Sequence, residues 1–103
     1  MSFRYDERLQ MPVPALERDL YDYGEAERSE ILVEWERIRG NIPAIISRFE
    51  EVIVATQDEL HHTEDWEDTV RLMEKINDYA SRIADLNILF RTEPEFHPPQ
   101  SHS

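Results

Sequence analysis

The chain has 103 residues, of which 40% are hydrophobic and 33% are charged, and its formal net charge is -12 at pH 7. A chain of this length fits one domain with a thin core. The negative charge repels a phosphate backbone or an anionic lipid surface at long range, so direct binding to nucleic acid or to a membrane is disfavoured.

Cysteine is absent from the chain, and the first residues contain no apolar segment of the kind that secretion signals carry. Without cysteine there is no disulfide, no thiol nucleophile and no cysteine-based zinc site. No stretch approaches the ~18 apolar residues that a membrane-spanning helix requires. We therefore expect a cytoplasmic protein with no membrane segment.

Residues 1–25 are predicted to form an N-terminal arm outside the main helices. Pro12 and Pro14 favour extended backbone, because proline fixes its own φ angle and restricts the residue before it. Residues 15–23 have the length and apolar spacing of two helical turns, and Gly24 is placed to end them. The sequence thus predicts a short helix within this arm.

Residues 26–60 carry the clearest helical pattern. Apolar residues recur with spacings of 4, 3, 4, 3, 4 and 3, which is the heptad seam of a packed helix. Gly40 and Pro43 interrupt this segment, since glycine favours a helix end and proline a helix start, yet the heptad phase continues across them. We therefore predict one helix over about residues 28–60 that is kinked near 40–43, and two shorter helices are the alternative. The seam consists of Ile31, Trp35, Ile38, Ile42, Ile45, Phe49 and Val52.

A second long helix is predicted over about residues 65–91, after a polar turn at residues 61–65. Its apolar residues form two adjacent stripes, and a face that wide needs more than one partner helix. Residues 93–103 are rich in proline, serine and histidine, and we predict a mobile tail there. One stripe is Leu72, Ile76, Tyr79, Ile83, Leu86 and Phe90, and the other is Trp66, Val70, Met73 and Ala80.

Together these patterns predict an all-α protein, a long antiparallel helical hairpin over residues 26–92 with a short N-terminal helical arm. A two-helix hairpin leaves much apolar surface open to water, and large exposed apolar patches are rare on monomers. A homodimer that forms a four-helix bundle is the simplest way to cover this surface. The alternatives are a three-helix monomer, in which the arm supplies the third helix, and a complex with a different protein.

A group of histidines and acids near the turn is a weak candidate for metal binding. Asp58, His61, His62 and Glu64 carry side chains that transition metals bind. The usual spacing of two histidines one helical turn apart with a glutamate between them is absent. A polar turn with favourable charges at the helix ends explains the same residues. We therefore predict no metal and no other cofactor.

The sequence carries no pattern typical of a catalytic site. Gly24 and Gly40 are the only glycines, so there is no glycine-rich phosphate loop, and no serine lies in a Gly-x-Ser-x-Gly elbow. We predict neither an enzyme nor a small-molecule binder but a helical protein-protein interaction or regulatory protein. Its predicted partner contacts lie on the arm and beside the turn, and they are Leu16, Leu20, Tyr21, Tyr23 and Trp66.

Two other functions fit parts of the same sequence. Carboxylates spaced along rigid helices can imitate phosphates, in which case the protein is an acidic nucleic-acid mimic that inhibits a DNA- or RNA-binding protein. Binding by mimicry falls steeply with ionic strength, whereas docking of apolar helix faces is much less sensitive to salt. The second alternative is a metal-binding helical bundle, which calorimetric titration with zinc, iron and manganese detects.

Overall fold

The computed structural model describes residues 2–92, and the predicted tail at 93–103 lies outside this range. The described chain is mostly helical, as the sequence predicts, but it begins with two short β-strands. It divides into two compact units, the first holding the strands and the first α-helix and the second holding the other two α-helices. The elements are β1 (Phe3–Asp6), β2 (Met11–Pro14), a 3-10 turn (Leu20–Asp22), α1 (Glu25–Arg39), α2 (Ile42–His61) and α3 (Trp66–Phe90).

The arm contains an antiparallel β-hairpin, which corrects both the all-α prediction and the two-turn helix expected over residues 15–23. Phe3 lies opposite Pro14, and Asp6 lies opposite Met11. Helical structure within the described arm is limited to the single 3-10 turn. The residues of β1 alternate aromatic and charged, which is the period of a strand, but four residues are too few for this signal to outweigh the prolines of β2.

Pro12 and Pro14 fit into β2 because their ring nitrogens point away from β1. The backbone N–H of Ala15 donates to the carbonyl oxygen of Ser2 at 2.8 Å, so these two residues form a hydrogen-bonded pair of the ladder. Donors alternate along an antiparallel strand, which places both prolines at the positions in between. A residue without an N–H therefore costs the hairpin no ladder hydrogen bond.

Residues 7–10 form the hairpin loop, and Asp6 closes it. The Asp6 carbonyl accepts the N–H of Gln10 at 2.7 Å, and the Asp6 carboxylate accepts the N–H of Leu9 at 2.9 Å. Gln10 has a φ of 60°, the left-handed conformation that lets the chain return toward β1. The loop thus depends on one side chain and one strained backbone position.

The hairpin belongs to the core of the first unit. β2 packs against α1, and the side chains on the facing sides of the two elements are nearly inaccessible to water, because Met11 of β2 and Trp35 of α1 are at most 2% exposed. The arm is therefore a structural part of this unit, although the sequence predicts a separate segment. The buried residues are Leu9, Met11, Leu20, Ile31, Trp35 and Ile38.

The predicted long helix is observed as two helices in succession, α1 and α2, with the interruption at Gly40 and Asn41. Gly40 keeps right-handed helical angles, and the N–H of Asn41 bonds to the Ile38 carbonyl at 3.0 Å, which is a tighter, 3-10-type bond. Pro43 has no N–H to give to the carbonyl of Arg39, four residues earlier. The break therefore lies where proline removes a helical hydrogen bond.

In the second unit α2 and α3 pack against each other as an antiparallel hairpin. The Asp65 carboxylate accepts the N–H of Asp68 at 3.1 Å, which caps the start of α3. The predicted helical hairpin with a polar turn is therefore observed for α2 and α3, whereas α1, which was predicted to be part of its first helix, belongs to the first unit. In the described chain no helix is long and apolar enough to cross a membrane. The buried residues of the unit are Ile42, Ile45, Phe49, Thr56, Leu72 and Leu86.

An aromatic cluster fixes how α2 and α3 meet. The Phe49 ring on α2 meets the Tyr79 ring on α3 edge to face, with centroids 5.2 Å apart and an interplanar angle of 86°. The Arg82 guanidinium lies 4.2 Å from the Tyr79 ring centroid and bonds to the Asp78 carboxylate at 2.7 Å. These directional contacts determine which side of α3 faces α2.

We predict that Leu72→Ala destabilises the second unit far more than Val54→Ala. Leu72 is 1% exposed in the helix contact and Val54 is 63% exposed on α2. Truncating the buried leucine leaves a cavity and lowers the free energy of unfolding by about 2–5 kcal/mol, whereas the valine change stays within about 0.5 kcal/mol. Urea denaturation followed by circular dichroism measures both. Equal losses would contradict the observed packing.

We also predict that Asp6→Ala weakens the hairpin and that Asp6→Asn weakens it less. Alanine removes the acceptor for the Leu9 N–H, a hydrogen bond with a net value of about 0.5–1.5 kcal/mol, whereas asparagine keeps an oxygen at the same place. Amide hydrogen exchange of Leu9 and Gln10 reports this loss locally. If both variants exchange like the parent, the side chain does not close the loop.

Candidate docking surface

One stripe along the solvent-exposed part of α3 carries no charged residue. We call this surface the α3 outer face. Its residues follow one another at spacings of 4, 3, 4, 3 and 4, which is the heptad pattern of a helix-helix seam. Leu72 and Leu86, the buried residues of α3, lie outside this stripe. The α3 outer face consists of Trp66, Val70, Met73, Asn77, Ala80 and Ala84.

The α3 outer face is open to solvent along its length. Trp66 is 73% exposed and Met73 is 49% exposed, although both are large apolar side chains. Asn77, Ala80 and Ala84 are also exposed, and only Val70 is half-buried. Because the solvent side of a helix is ordinarily its most polar side, this surface is unusual for a chain in which a third of the residues are charged.

The charged residues of α3 lie beside the α3 outer face rather than on it. Two ion pairs, Arg71 with Asp68 at 3.3 Å and Arg82 with Asp78 at 2.7 Å, bridge neighbouring turns further round the helix. Glu67 and Glu74 are exposed and directly follow the two largest residues of the face in the sequence. The acids therefore border one edge of an uncharged strip.

The α3 outer face changes in size from one end to the other. Its first half carries bulky side chains, namely Trp66, Val70 and Met73. Its second half carries the small Ala80 and Ala84. Small residues let another backbone approach closely, and bulky residues need such a place to pack, so the two halves are complementary in shape.

The structure distributes the sequence-predicted contact residues over both units. Leu20 is 1% exposed and belongs to the core, and Leu16 is half-buried. Tyr23 is half-buried as well, and its hydroxyl accepts the N–H of Glu17 at 3.2 Å. Tyr21, at 55%, is the most exposed of the four arm residues.

Trp66 is the one predicted contact residue in the second unit, and the α3 outer face begins with it. The sequence places Trp66, Val70, Met73 and Ala80 on one stripe, which was predicted to belong to a wide apolar face that needs more than one partner helix. Asn77 and Ala84, which continue the same spacing, were missed because they are not hydrophobic enough to mark a core. The signal that finds them is the absence of charge at every heptad position of a solvent-facing stripe.

The weak metal candidates near the turn are not gathered into a site. The His62 ring nitrogen Nδ1 lies 2.8 Å from the Asp58 carbonyl oxygen, which is a backbone contact within one helical turn. His61 and Glu64 are exposed. Within residues 2–92 no group of three or more histidine or acidic side chains is placed to hold a metal ion.

The outer side of α2 carries a second surface of a different kind. A shallow, open depression of about 530 Å³ runs along this helix. Val54, which is 63% exposed, lies in it together with an alanine and a serine, and three acids border them. This surface is acidic, whereas the α3 outer face is neutral. The depression is lined by Ser47, Glu50, Glu51, Val54, Ala55 and Asp58.

An exposed ion pair on α1 accounts for the shifted pKa values in the described chain. A hydrogen bond from the Arg37 guanidinium, together with its positive charge, lowers the pKa of the Glu34 carboxyl, and the same contact raises the pKa of Arg37. The two residues are one helical turn apart and solvent-exposed, so the pair adds a little to helix stability and is no sign of catalytic chemistry.

The comparisons with known proteins leave the surfaces as the basis for assigning a function. No protein family, curated protein or solved structure matches the chain.

We predict that the two tryptophans differ clearly in emission wavelength and in quenching by acrylamide. Trp66 is 73% exposed and Trp35 is fully buried. In dilute protein, Trp35→Phe should leave a red-shifted emission that acrylamide quenches strongly, and Trp66→Phe should leave a blue-shifted emission that acrylamide barely reaches. Similar quenching of the two variants would mean that the start of the α3 outer face is already covered in the single chain.

Proposed function

We propose that this protein acts by binding a helix on the α3 outer face, and that it has no catalytic role. The observation that supports this most strongly is the uncharged, solvent-facing heptad stripe from Trp66 to Ala84. A protein with a net charge of -12 has many acids to place on its surface, and this stripe carries none. Function as an interaction or regulatory protein is consistent with both facts.

The physical driving force for docking is the burial of apolar surface. Each exposed methylene that leaves water contributes about 0.8 kcal/mol, and Trp66 and Met73 expose the largest apolar areas of the stripe. A partner helix with apolar residues at heptad spacing matches this pattern, as in other helix-in-groove interactions. Tryptophan at one end of such a strip is a suitable anchor, because it buries a large area and its indole N–H still reaches solvent.

The arm offers a separate candidate contact in the first unit. Tyr21 is 55% exposed, and the Arg28 guanidinium lies 5.6 Å from its ring centroid, within the range of a cation-π contact. Tyrosine loses little conformational entropy when a partner covers it. We therefore propose Tyr21 as a contact of the first unit in its own right, and Trp66 as the main contact of the second unit.

Site-specific photo-crosslinking tests the proposal in the native host. A photoreactive amino acid at Met73 lies in the α3 outer face, and the same amino acid at Val54 lies on the acidic side of α2 and serves as the matched control. We expect adducts of defined mass from the Met73 position and few or none from the Val54 position. Equal, weak labelling at both positions would show that the α3 outer face has no binding role.

Nucleic-acid mimicry is the second candidate, and the outer side of α2 favours it. Glu50, Glu51 and Asp58 present carboxylates along one side of this helix. The two candidates predict opposite responses to salt. A basic target that recognises these acids should be released as ionic strength rises, whereas a helix on the α3 outer face should stay bound.

A further inference from the structure

We propose that the helix bound on the α3 outer face belongs to a different protein, is amphipathic, and carries lysine or arginine along one edge of its apolar stripe and no charge along the other edge. This inference rests on the proposed function, because it names the kind of partner that the docking surface takes. Three features carry it: a row of acids along one edge of the face, a neutral opposite edge, and the net charge of the chain.

Acidic side chains border the α3 outer face along one edge, beside both its bulky half and its small half. We call this row the acidic edge. Its members follow one another at spacings of 7, 4 and 7 residues, which keeps them within a sector of about 40° at about 100° per residue. The basic residues of α3, Arg71, Lys75 and Arg82, lie further round the helix. The acidic edge consists of Glu67, Glu74, Asp78 and Asp85.

Two carboxylates of the acidic edge are available to a partner. Glu67 and Glu74 are exposed, and within residues 2–92 neither forms an ion pair, whereas Asp78 bonds to Arg82 at 2.7 Å. Both glutamates directly follow a residue of the seam. Charges at such flanking positions meet the flanking charges of the facing helix and determine which helices pair. Lysine or arginine on the facing helix therefore matches them.

The opposite edge of the α3 outer face has a different character. Thr69, Ile76 and Ile83 directly precede residues of the seam, and all three are uncharged and half-buried. A charged side chain of a partner placed over this edge would lose contact with water and gain no opposite charge. The basic residues of the partner therefore belong only on the edge that meets the acids.

The net charge of the chain acts in the same direction. A charge of -12 attracts a basic segment at long range and repels an acidic one, a second copy of this chain included. Complementary charge raises the association rate and selects the partner, while apolar burial supplies most of the affinity. Added salt should therefore slow association, and the complex should stay bound once it has formed.

The order of side-chain sizes along the face describes the apolar stripe of the partner. Trp66 and Met73 are bulky, and Ala80 and Ala84 are small. Close packing requires small partner residues against the bulky half and large ones against the alanines. The partner helix thus has an apolar stripe that widens toward one end, with basic residues beside it.

Three synthetic helical peptides of about three heptads test the charge of the partner. They share one apolar stripe, with alanine at one end and leucine at the other, and differ along one edge, which carries lysine, glutamine or glutamate. Anisotropy of a fluorescent label on the peptide measures binding to the full chain. We expect the lysine peptide to bind about five to ten times more tightly than the glutamine peptide, because each of two exposed ion pairs contributes a factor of about 1.4–5. The glutamate peptide should bind most weakly.

Charge reversal tests whether the acidic edge is responsible. Glu67→Lys with Glu74→Lys should make the chain prefer the glutamate peptide to the lysine peptide. Glu50→Lys with Glu51→Lys makes the same change in net charge at exposed positions on the outer side of α2, and this matched control should keep the preference of the parent. Circular dichroism measures the helicity of both. If the reversal melts α3, the milder Glu67→Gln with Glu74→Gln should bind the lysine and glutamine peptides equally.

The emission of Trp66 reports where the peptides bind. Trp35 is fully buried and Trp66 is 73% exposed, so a blue shift on binding comes from Trp66 at the start of the α3 outer face. We expect this shift with the lysine peptide at saturation.

The outcomes separate this inference from the proposed function. If the lysine and glutamine peptides bind equally tightly and both shift the Trp66 emission, the basic edge is wrong and the docking role stands. If the lysine peptide leaves the Trp66 emission unchanged, or if the α2 control weakens its binding as much as the reversal on α3, it binds elsewhere and the inference is wrong. If no peptide binds, the inference is also wrong, and a Met73 crosslinker that yields no adduct then overturns the docking role as well.

Discussion

The packing of α3 against α2 is the constraint on which the account depends, because it decides which side of α3 faces water. The contact of Phe49 with Tyr79, and the placement of Arg82 over the tyrosine ring, orient the helix. With Leu72 and Leu86 turned inward, the stripe that begins at Trp66 turns outward. Rotating α3 by half a turn would bury this stripe and expose the leucines, and the docking surface would no longer exist.

Much of the helical part of this fold follows from the sequence, for a simple physical reason. The heptad seam from Ile31 onward is long and regular, and its residues through Phe49 are buried. The interruption near Pro43 is also predictable, since proline lacks the N–H that a continuous helix needs. Periodicity over many residues is a strong signal, because each additional residue that fits it makes a chance match less probable.

The arm shows where sequence reasoning fails. The prolines of β2 argue against a strand, and only the pairing register reveals that their nitrogens point away from β1. A hairpin this short is marginal by itself and depends on tertiary packing, here of Met11 and Leu20 in the core of the first unit. That packing is not visible in a local pattern, so the arm reads as a separate segment although it is part of the fold.

The α3 outer face could be predicted from the sequence only in part. The sequence contains the stripe, but the apolar pattern alone cannot say whether it faces a core or water. Only the packed structure places Ala84 and Asn77 on the solvent side, and only then does the lack of charge along it become informative. A weakly hydrophobic stripe is compatible with a monomer in solution and a covered face in a complex, which is the balance that a reversible interaction requires.

Oxidative labelling of methionine in living cells tests the central claim most directly. Met73 lies in the α3 outer face and is 49% exposed, and Met11 is 2% exposed and serves as a buried reference in the same chain. In dilute purified protein Met73 should oxidise readily and Met11 slowly. Inside the host cell the account predicts that Met73 becomes as protected as Met11. If Met73 oxidises as fast in the cell as in dilute solution, the α3 outer face is not covered and the account is wrong.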